Sequence, residues 1–432
     1  GDEKKVASFN GMYLTVFLII AFICMLCGIV LVQNIELVFG NGLTIAEYGK
    51  ARVLLALMVF NLALTFVAGA IDSFITAHEE FIFQRILRVL QYLFNPLITL
   101  PLLLMGYGSI AMVAVTTVLT IAKLWSSLWY CLKKLSVKIR FRNFQVGLLK
   151  EMWIFTAFIC LNMIADQINW NVDKVLLGRF SGTVAVAIYG VGGQLNTMYM
   201  QLSTTISNVF IPQVNQIVAD SDDNHRLTEL LTKVGRVQFI LLSLVIVGFI
   251  FLGKNFIALW AGTGYEYSYG ITLMLIVPAT IPLIQGLTLE IMRAKNMHKV
   301  RSFVYFAMAI CNVFISIPCI RYWGAQGAAI GTAITLIIFD CIVMNIYYHK
   351  YVGLDMRYYW IQILKFVPAF VPIIILEILL QHFFPSTGFV ALIGQGIAYI
   401  VVFSVFMWIL GLNEAEKNLV TGPLDRLLKK KP

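Results

Sequence analysis

The chain has 432 residues, of which 60% are hydrophobic and 12% are charged, and its formal net charge is +10. A soluble domain carries about 25% charged residues, so this composition excludes an ordinary soluble protein and predicts an integral membrane protein. The basic residues lie in short loops between apolar runs. That pattern indicates membrane topology and argues against a nucleic-acid partner.

Long apolar runs follow one another through the whole chain. Because an α-helix rises 1.5 Å per residue, about 20 apolar residues are enough to cross the hydrocarbon core of a bilayer. The sequence therefore predicts an all-α, polytopic membrane protein with twelve spans in this chain. Their approximate limits are 12–33, 51–72, 86–105, 109–131, 151–170, 184–211, 236–256, 269–290, 302–322, 325–348, 361–384 and 387–411.

The Lys and Arg residues between these spans predict the orientation of the chain. Twenty-five of the 32 fall on one side of the membrane and six on the other, with Lys123 inside a span. Cytoplasmic loops carry an excess of Lys and Arg, so both ends of this chain are predicted to be cytoplasmic. We expect a multi-pass protein of the plasma or inner membrane that contacts membrane lipids.

Short matches at a nearly constant spacing indicate an internal repeat. Asn95 matches Asn312 at a shift of 217 residues, and residues 35–42 resemble residues 257–264 at a shift of 222. The repeat maps spans 1–4 onto spans 7–10, so the two copies have the same orientation in the membrane. We expect two six-helix lobes, with two helices of the first lobe preceding residue 1, which makes fourteen spans in full. The predicted divisions are 1–148 (spans 3–6 of the full protein), 149–350 (spans 7–12) and 351–432 (two extra C-terminal helices and a basic tail).

Polar side chains recur at helical spacing within several predicted spans. In one such stripe, residues 194, 197, 201, 204 and 208 share one face of a 3.6-residue helix. Polar groups are costly in lipid, so a stripe faces either a water-filled cavity or a helix that shares its hydrogen bonds. The longer stripes favour a hydrated cavity between the lobes. The candidate cavity residues are Asn61, Asn95, Asn162, Asp166, Asn169, Asp173, Gln194 and Gln201.

Ionisable residues inside or beside the spans are candidates for specific roles. Lys123 either faces the cavity as an anion-binding cation or extends to the membrane interface. Asp166 is a candidate site for a coupling ion or proton, or the partner of a lysine. Asp173 and Arg179 lie near the external mouth of the predicted cavity. The five histidines show no metal-ligand spacing, and no metal site is predicted.

The sequence contains none of the common enzyme motifs. It has no P-loop, HExxH, GxSxG or glycine-rich dinucleotide motif. Its predicted loops are too short to form a nucleotide-binding domain. We therefore expect a protein that is not an enzyme and that uses no cofactor.

Three stretches resemble the polysaccharide flippases, the O-antigen and teichoic-type branch of the multidrug/oligosaccharidyl-lipid/polysaccharide exporter superfamily. GDEKKVASFNGMYL (residues 1–14) is similar to the lead into the third helix of that family. NVDKVLLGRFSGTVAVAIYGVGGQL (171–195) resembles its junction of the seventh and eighth helices, and RYWGAQGAAIGTAI (321–334) its turn into the twelfth. The resemblance covers essentially the whole chain. It implies an N-terminally truncated member with fourteen helices in full.

The same resemblance implies a function. The expected substrate is a lipid-linked oligosaccharide on polyprenyl pyrophosphate, moved across the cytoplasmic membrane by alternating access between two lobes and coupled to H⁺ or Na⁺. The family's cavity charges carry over onto Lys123, Asp166 and Asp173. Lys123 or Arg179 would meet the pyrophosphate. Glycan-assembly proteins are expected as partners.

Other functions are compatible with the sequence. A cation or drug antiporter of the same fold would use acidic cavity residues such as Asp166 to exchange protons or sodium for an organic cation. A membrane glycan polymerase or ligase would be an enzyme, which the short external loops disfavour. A scaffold for a glycan-assembly complex would tolerate substitutions in the cavity.

Overall fold

The described part of the chain is helical and contains no β-strand, which confirms the predicted all-α class. The chain divides into two compact units, Gly1–Leu161 (unit 1) and Asn162–Pro432 (unit 2). The structure is a computed structural model that describes residues 2–36, 45–142, 147, 167, 171–221, 223–383, 388–414, 416–418 and 421.

Unit 1 contains four long helices in its described residues, and each is long and apolar enough to cross a membrane. The first begins about three turns before the apolar run that predicts it, because helical structure continues into the polar residues beyond the hydrocarbon core. The last continues through a π-helical turn. The four are α1 (Asp2–Gln33), α2 (Ile45–Ala77), α3 (Phe81–Leu104) and α4 (Gly108–Trp129), followed by the turn Tyr130–Lys134.

The helices of unit 1 pack as neighbours in sequence, with α2 also packed against α4. At the contact of α1 with α2, a Cβ on Gly28 would overlap the side chain of Val59, so glycine permits the close approach. A small apolar core that includes Ile71, Ile75 and Tyr130 joins α2 to the turn after α4. This core holds one end of the unit together.

An extended strap, residues 136–142, follows the π-helical turn and runs along the first turns of α1. The amide of Arg140 donates to the carbonyl of Ala7 at 2.9 Å, and the Ser8 hydroxyl donates to the carbonyl of Arg142 at 2.8 Å. A Cβ on Gly11 would overlap the carbonyl of Arg140. The strap therefore lies directly on the α1 backbone.

Unit 2 is built around one long helix, α8. Its N-cap residue, Asp223, accepts hydrogen bonds from the amides of His225 and Arg226 at 2.8 and 3.4 Å, which satisfies two otherwise unpaired helix-end donors. The helices of the unit are α5 (171–180), α6 (Gly182–Val209), α7 (Ile211–Asp220), α8 (Asn224–Trp260), α9 (Tyr267–Ile284), α10 (Leu287–Ala294), α11 (His298–Thr335), α12 (Met344–Tyr347), α13 (Met356–Leu364), α14 (Val367–Phe383) and α15 (Phe389–Phe406), with π-helical stretches at Leu336–Val343, Tyr348–Val352 and Met407–Gly411.

The main core of unit 2 lies where α8 meets α9 and α13. Leu231, Leu242 and Tyr359 are completely buried there. The Tyr359 hydroxyl donates to the carbonyl of Ile284 at 2.9 Å. A Cβ on Gly235 would lie only 2.6 Å from that hydroxyl oxygen, so glycine is required at this crossing.

α11 consists of two antiparallel helices joined by a sharp turn at Gly324. This residue has φ 55° and ψ −129°, a conformation that glycine adopts at little cost. Beyond the turn, a Cβ on Gly327 would overlap the main-chain carbonyl of Cys319, so the two helices are in backbone contact. The predicted spans 302–322 and 325–348 are therefore two helices of one hairpin.

Nine helical stretches among the described residues are long and apolar enough to cross a membrane. One of the nine is the α11 hairpin with its π-helical continuation, which contains two predicted spans. α6 is long enough, but it is not among the nine because polar side chains lie on both of its faces. Apart from residue 167, the predicted span 151–170 lies outside the described residues. The helical membrane fold is confirmed, and the count of twelve spans stays a prediction.

The same hydrogen-bond pattern occurs once in each unit. In unit 1, Asn95 Nδ2 donates to Thr116 Oγ1 on the next helix at 3.2 Å. In unit 2, Asn312 Nδ2 donates to Thr332 Oγ1 across the α11 hairpin, also at 3.2 Å. In each case the hydroxyl four residues after the asparagine donates back to its Oδ1, at 3.3 and 3.4 Å. This correspondence supports the internal repeat predicted from Asn95 and Asn312.

A buried ion pair fixes the segment after α15 to α8. Arg236 and Glu416 are 4% and 6% exposed, and their bidentate contact measures 2.5 and 2.9 Å. The same guanidinium donates to the main-chain carbonyls of Gln362 and Gly411 and stacks on the ring of Phe366 at 4.1 Å. One arginine thus joins α8, α13, the start of α14 and the π-helical turn after α15.

Candidate functional site

α6 exposes a polar face and an apolar face side by side. At 100° per residue, the two exposed stripes lie about a quarter-turn apart on the helix. In a membrane, an exposed row of polar side chains borders water and an exposed row of apolar side chains borders lipid. The polar stripe of α6 comprises Gln194, Thr197, Gln201, Thr204 and Asn208, all exposed, and the apolar stripe of α6 comprises Met198, Leu202 and Val209.

The opposite, buried face of α6 is also polar, and it holds the helix in place. Gln238 of α8 is completely buried and donates from Nε2 to the hydroxyls of Ser203 and Ser207 at 2.9 and 2.8 Å. The Ser203 hydroxyl donates in turn to the carbonyl of Leu283 on α9 at 2.7 Å. These bonds set the rotation of α6, so its polar stripe has a defined direction.

Lys123 forms an ion pair inside unit 1. Its Nζ lies 2.9 Å from Asp72 Oδ2, and the Ser127 hydroxyl donates to Asp72 Oδ1 at 3.2 Å. The Lys123 and Asp72 side chains are 21% and 24% exposed, so the pair is only partly buried. The lysine predicted to bind an anion therefore has a carboxylate partner on α2 and keeps an exposed edge.

The two amides predicted as cavity residues in unit 1 both make interhelical hydrogen bonds. Asn61 of α2 donates to Thr117 of α4 at 3.3 Å, and Asn95 of α3 donates to Thr116. Both asparagines are half-buried. Of the two interpretations of these stripes, their geometry favours polar contacts that join helices.

A buried polar cluster surrounds Asp173 of α5. Its side chain is 1% exposed, and its Oδ2 accepts hydrogen bonds from Thr332 Oγ1 at 2.6 Å and from the Tyr189 hydroxyl at 3.1 Å. The hydroxyl of Ser316 faces the same carboxylate. Asp173 Oδ1 has no hydrogen-bond partner among the described residues. A buried carboxylate with an open oxygen, surrounded by hydroxyls, offers the oxygen ligands that a hard cation or a proton takes.

The other predicted site residues divide into two groups. Arg179 is exposed at the end of α5, next to the α11 turn, where Arg321 lies 5.0 Å from the ring of Phe180. The remaining three, Asn162, Asp166 and Asn169, lie outside the described residues.

The structure adds partners that the sequence did not indicate. The ion pair of Asp72 with Lys123 joins residues 51 positions apart. Thr332 reaches Asp173 across 159 positions. The internal repeat is the one sequence signal that points to the Asp173 cluster. Asn312 corresponds to Asn95, and its hydrogen-bond partner Thr332 also donates to Asp173.

The fold defines a polytopic helical membrane protein. The lipid II flippase MurJ, in an inward closed conformation, superposes with a TM-score of 0.76 over 95% of this chain and 84% of its own, at 15% identity. A family model described as "Polysaccharide biosynthesis protein" matches residues 3–218, half of the chain. The chain belongs to this family.

Two curated proteins are similar to part of the chain. The "Putative O-antigen transporter" of Shigella dysenteriae is 23% identical over 201 residues, 46% of this chain and 48% of the relative. The "Probable flippase AglR" of Haloferax volcanii is 25% identical over 179 residues, 40% of this chain and 37% of the relative. The chain thus matches about half or less of each of these relatives.

Proposed function

We propose that the protein moves a lipid-linked oligosaccharide, carried on polyprenyl pyrophosphate, across the cytoplasmic membrane. The polar stripe of α6 carries this proposal. Sugars are recognised through many hydroxyl hydrogen bonds, and the amides and hydroxyls of the stripe both donate and accept. A water-filled path lined by such groups accommodates a glycan headgroup, while the polyprenyl chain stays in the apolar bilayer.

The two relatives support this proposal, since one is named as a putative O-antigen transporter and the other as a probable flippase. We propose that movement occurs by alternating access between two lobes, a mechanism that a repeated architecture supports. In this proposal the protein lies in the inner or plasma membrane with both ends of this chain cytoplasmic. It works beside the proteins that assemble the glycan on its lipid.

Lys123 is the proposed contact for the pyrophosphate. A lysine binds phosphate as a point charge, and its exposed edge leaves room for a second anion beside Asp72. If the pair has this role, Lys123→Gln abolishes transport, whereas Asp72→Asn frees the lysine and tightens substrate binding. A purely structural pair would instead lose transport to a similar extent in both variants, with no gain in binding.

Asp173 is the proposed site of the coupling ion, H⁺ or Na⁺. Its open Oδ1 and the surrounding hydroxyls form a small all-oxygen site. Asp173→Asn keeps the shape of the side chain and removes its charge. We expect this variant to lose the acceleration of transport by an imposed ion gradient, while transport without a gradient persists. Separate sodium and proton gradients identify the ion.

The direct test uses the full-length gene product that contains this chain, reconstituted in liposomes. Transfer of a fluorescent polyprenyl-pyrophosphate oligosaccharide between leaflets is followed by quenching from one side. We expect transfer by the wild type and at least a tenfold loss in the double variant Gln194→Leu/Gln201→Leu. The matched control is Leu202→Met on the apolar stripe, which keeps wild-type transfer. Export of an organic cation without lipid transfer would instead support the antiporter.

A further inference from the structure

The last two long helices, α14 and α15, form an antiparallel hairpin packed on α8. Four of their buried side chains, those of Ala369, Ile373, Tyr399 and Phe403, belong to one apolar cluster. In an antiparallel pair, each step of four residues along α14 corresponds to four residues back along α15. One turn beyond Ile373 and Tyr399 stand residues 377 and 395, and both are polar.

Glu377 and Gln395 are therefore an acid and an amide in the same buried layer. Glu377 is 1% exposed and Gln395 is 7% exposed. The Glu377 Oε1 atom has no hydrogen-bond partner among the described residues. An ionised carboxylate buried without a cation is very unfavourable. The Gln395 amide can donate an N–H to this carboxylate but cannot neutralise its charge, so the layer needs a cation or a proton.

Among the described residues, no cationic side chain faces this layer. α8 presents Val247 and Gly248 at this level, and the hydroxyl of Tyr399 already donates to the carbonyl of Leu244 at 2.7 Å.

The charged and titratable side chains at the ends of these helices have other contacts. Lys254 on α8 lies 5.5 Å from the ring centre of Tyr269, and His382 on α14 stacks edge-on against Phe383. Lys365 lies at the opposite end of α14, about 18 Å along the helix from Glu377 at 1.5 Å per residue.

We propose that Glu377 is a proton-binding site and that the α14–α15 hairpin docks on α8 with this side chain as a neutral acid. The proton comes from water and converts one carboxylate oxygen into an O–H donor. The amide oxygen of Gln395, in the same layer, is a suitable acceptor. Loss of the proton leaves an uncompensated charge inside the hairpin contact. Docking is then complete while Glu377 is protonated and weakens as pH rises through its titration. This site is independent of the proposed transport function.

Infrared spectroscopy of the purified full-length protein tests the protonation directly. We expect a carbonyl band of a protonated carboxylic acid at neutral pH, shifted in D₂O, with a component that is lost in Glu377→Gln. The control Glu290→Gln, at a partly buried carboxylate that is paired with Arg293, keeps the band. A wild-type spectrum without such a band, or a band unchanged in Glu377→Gln, would overturn the proposal.

Thermal unfolding gives a second measurement that does not depend on the spectrum. The wild type should lose several degrees of melting temperature between neutral and alkaline pH. Glu377→Gln, which has the same shape and nothing to titrate, should lose much less over that range. If Glu377→Gln does not fold, Glu377→Leu provides the comparison. Equal pH dependence in wild type and variant would contradict the role of Glu377.

Discussion

The buried ion pair between Arg236 and Glu416 predicts how substitutions at these two residues change the thermal stability of unit 2. Glu416→Gln keeps the shape of the side chain but leaves the buried guanidinium without its counter-charge, since both Glu416 oxygens accept from it. Removing one partner of a buried pair costs about 3–5 kcal/mol. In a unit of this size, each kcal/mol lowers Tm by about 2–4 °C. We therefore expect Tm to fall by roughly 10 °C.

Two further variants separate charge from geometry. Arg236→Lys keeps the charge but loses the planar fork, so we expect an intermediate loss of about 2 kcal/mol. The double variant Arg236→Met/Glu416→Met buries no charge and should recover most of the loss, to within about 2 kcal/mol of wild type. Thermal unfolding in detergent, followed by tryptophan fluorescence, measures all four proteins. A double variant no more stable than Glu416→Gln would refute this reasoning.

Further stability predictions come from the repeat and from the α11 hairpin. Asn312→Ala should lower the free energy of unfolding by about 2–3 kcal/mol and Asn95→Ala by about 1 kcal/mol, because Asn312 is completely buried and Asn95 is not. Equal losses in thermal unfolding would contradict this ranking. Gly327→Ala should destabilise by about 1–3 kcal/mol or prevent folding, since its Cβ would overlap the Cys319 carbonyl, whereas Gly193→Ala has open space and should be tolerated. Comparable yields of folded protein for both glycine variants would argue against the close hairpin.

The sequence predicts helix faces better than it predicts partners. On α6, the spacing of Gln194 and Gln201 identifies the face that the structure exposes, because a 3.6-residue period follows from local geometry alone. The same spacing reasoning groups Asn95 with its neighbours, yet that asparagine bonds to the adjacent helix. Periodicity defines a face of a helix, and tertiary packing decides whether that face meets water or another helix.

Side-chain contacts between residues far apart in the chain could not be predicted from the sequence, for the same reason. Nothing local to Lys123 indicates that Asp72 lies 2.9 Å away, or that Asp173 is buried among hydroxyls from α6 and α11. The turn at Gly324 is different, since its glycines fall in a stretch that resembles the family and mark a close helix contact. The conformational requirements that select glycine are local, so they can be recognised from the sequence.

The central claim is that the polar stripe of α6 borders water inside the membrane. Single cysteines along α6, in a background without the seven native cysteines, can be labelled with a membrane-impermeant maleimide in liposomes. We expect rapid labelling at positions 194, 197, 201 and 204 and little at 198, 202 and 209, so that reactivity follows the helical period. Labelling that ignores this period, or that favours the apolar stripe, would contradict the claim.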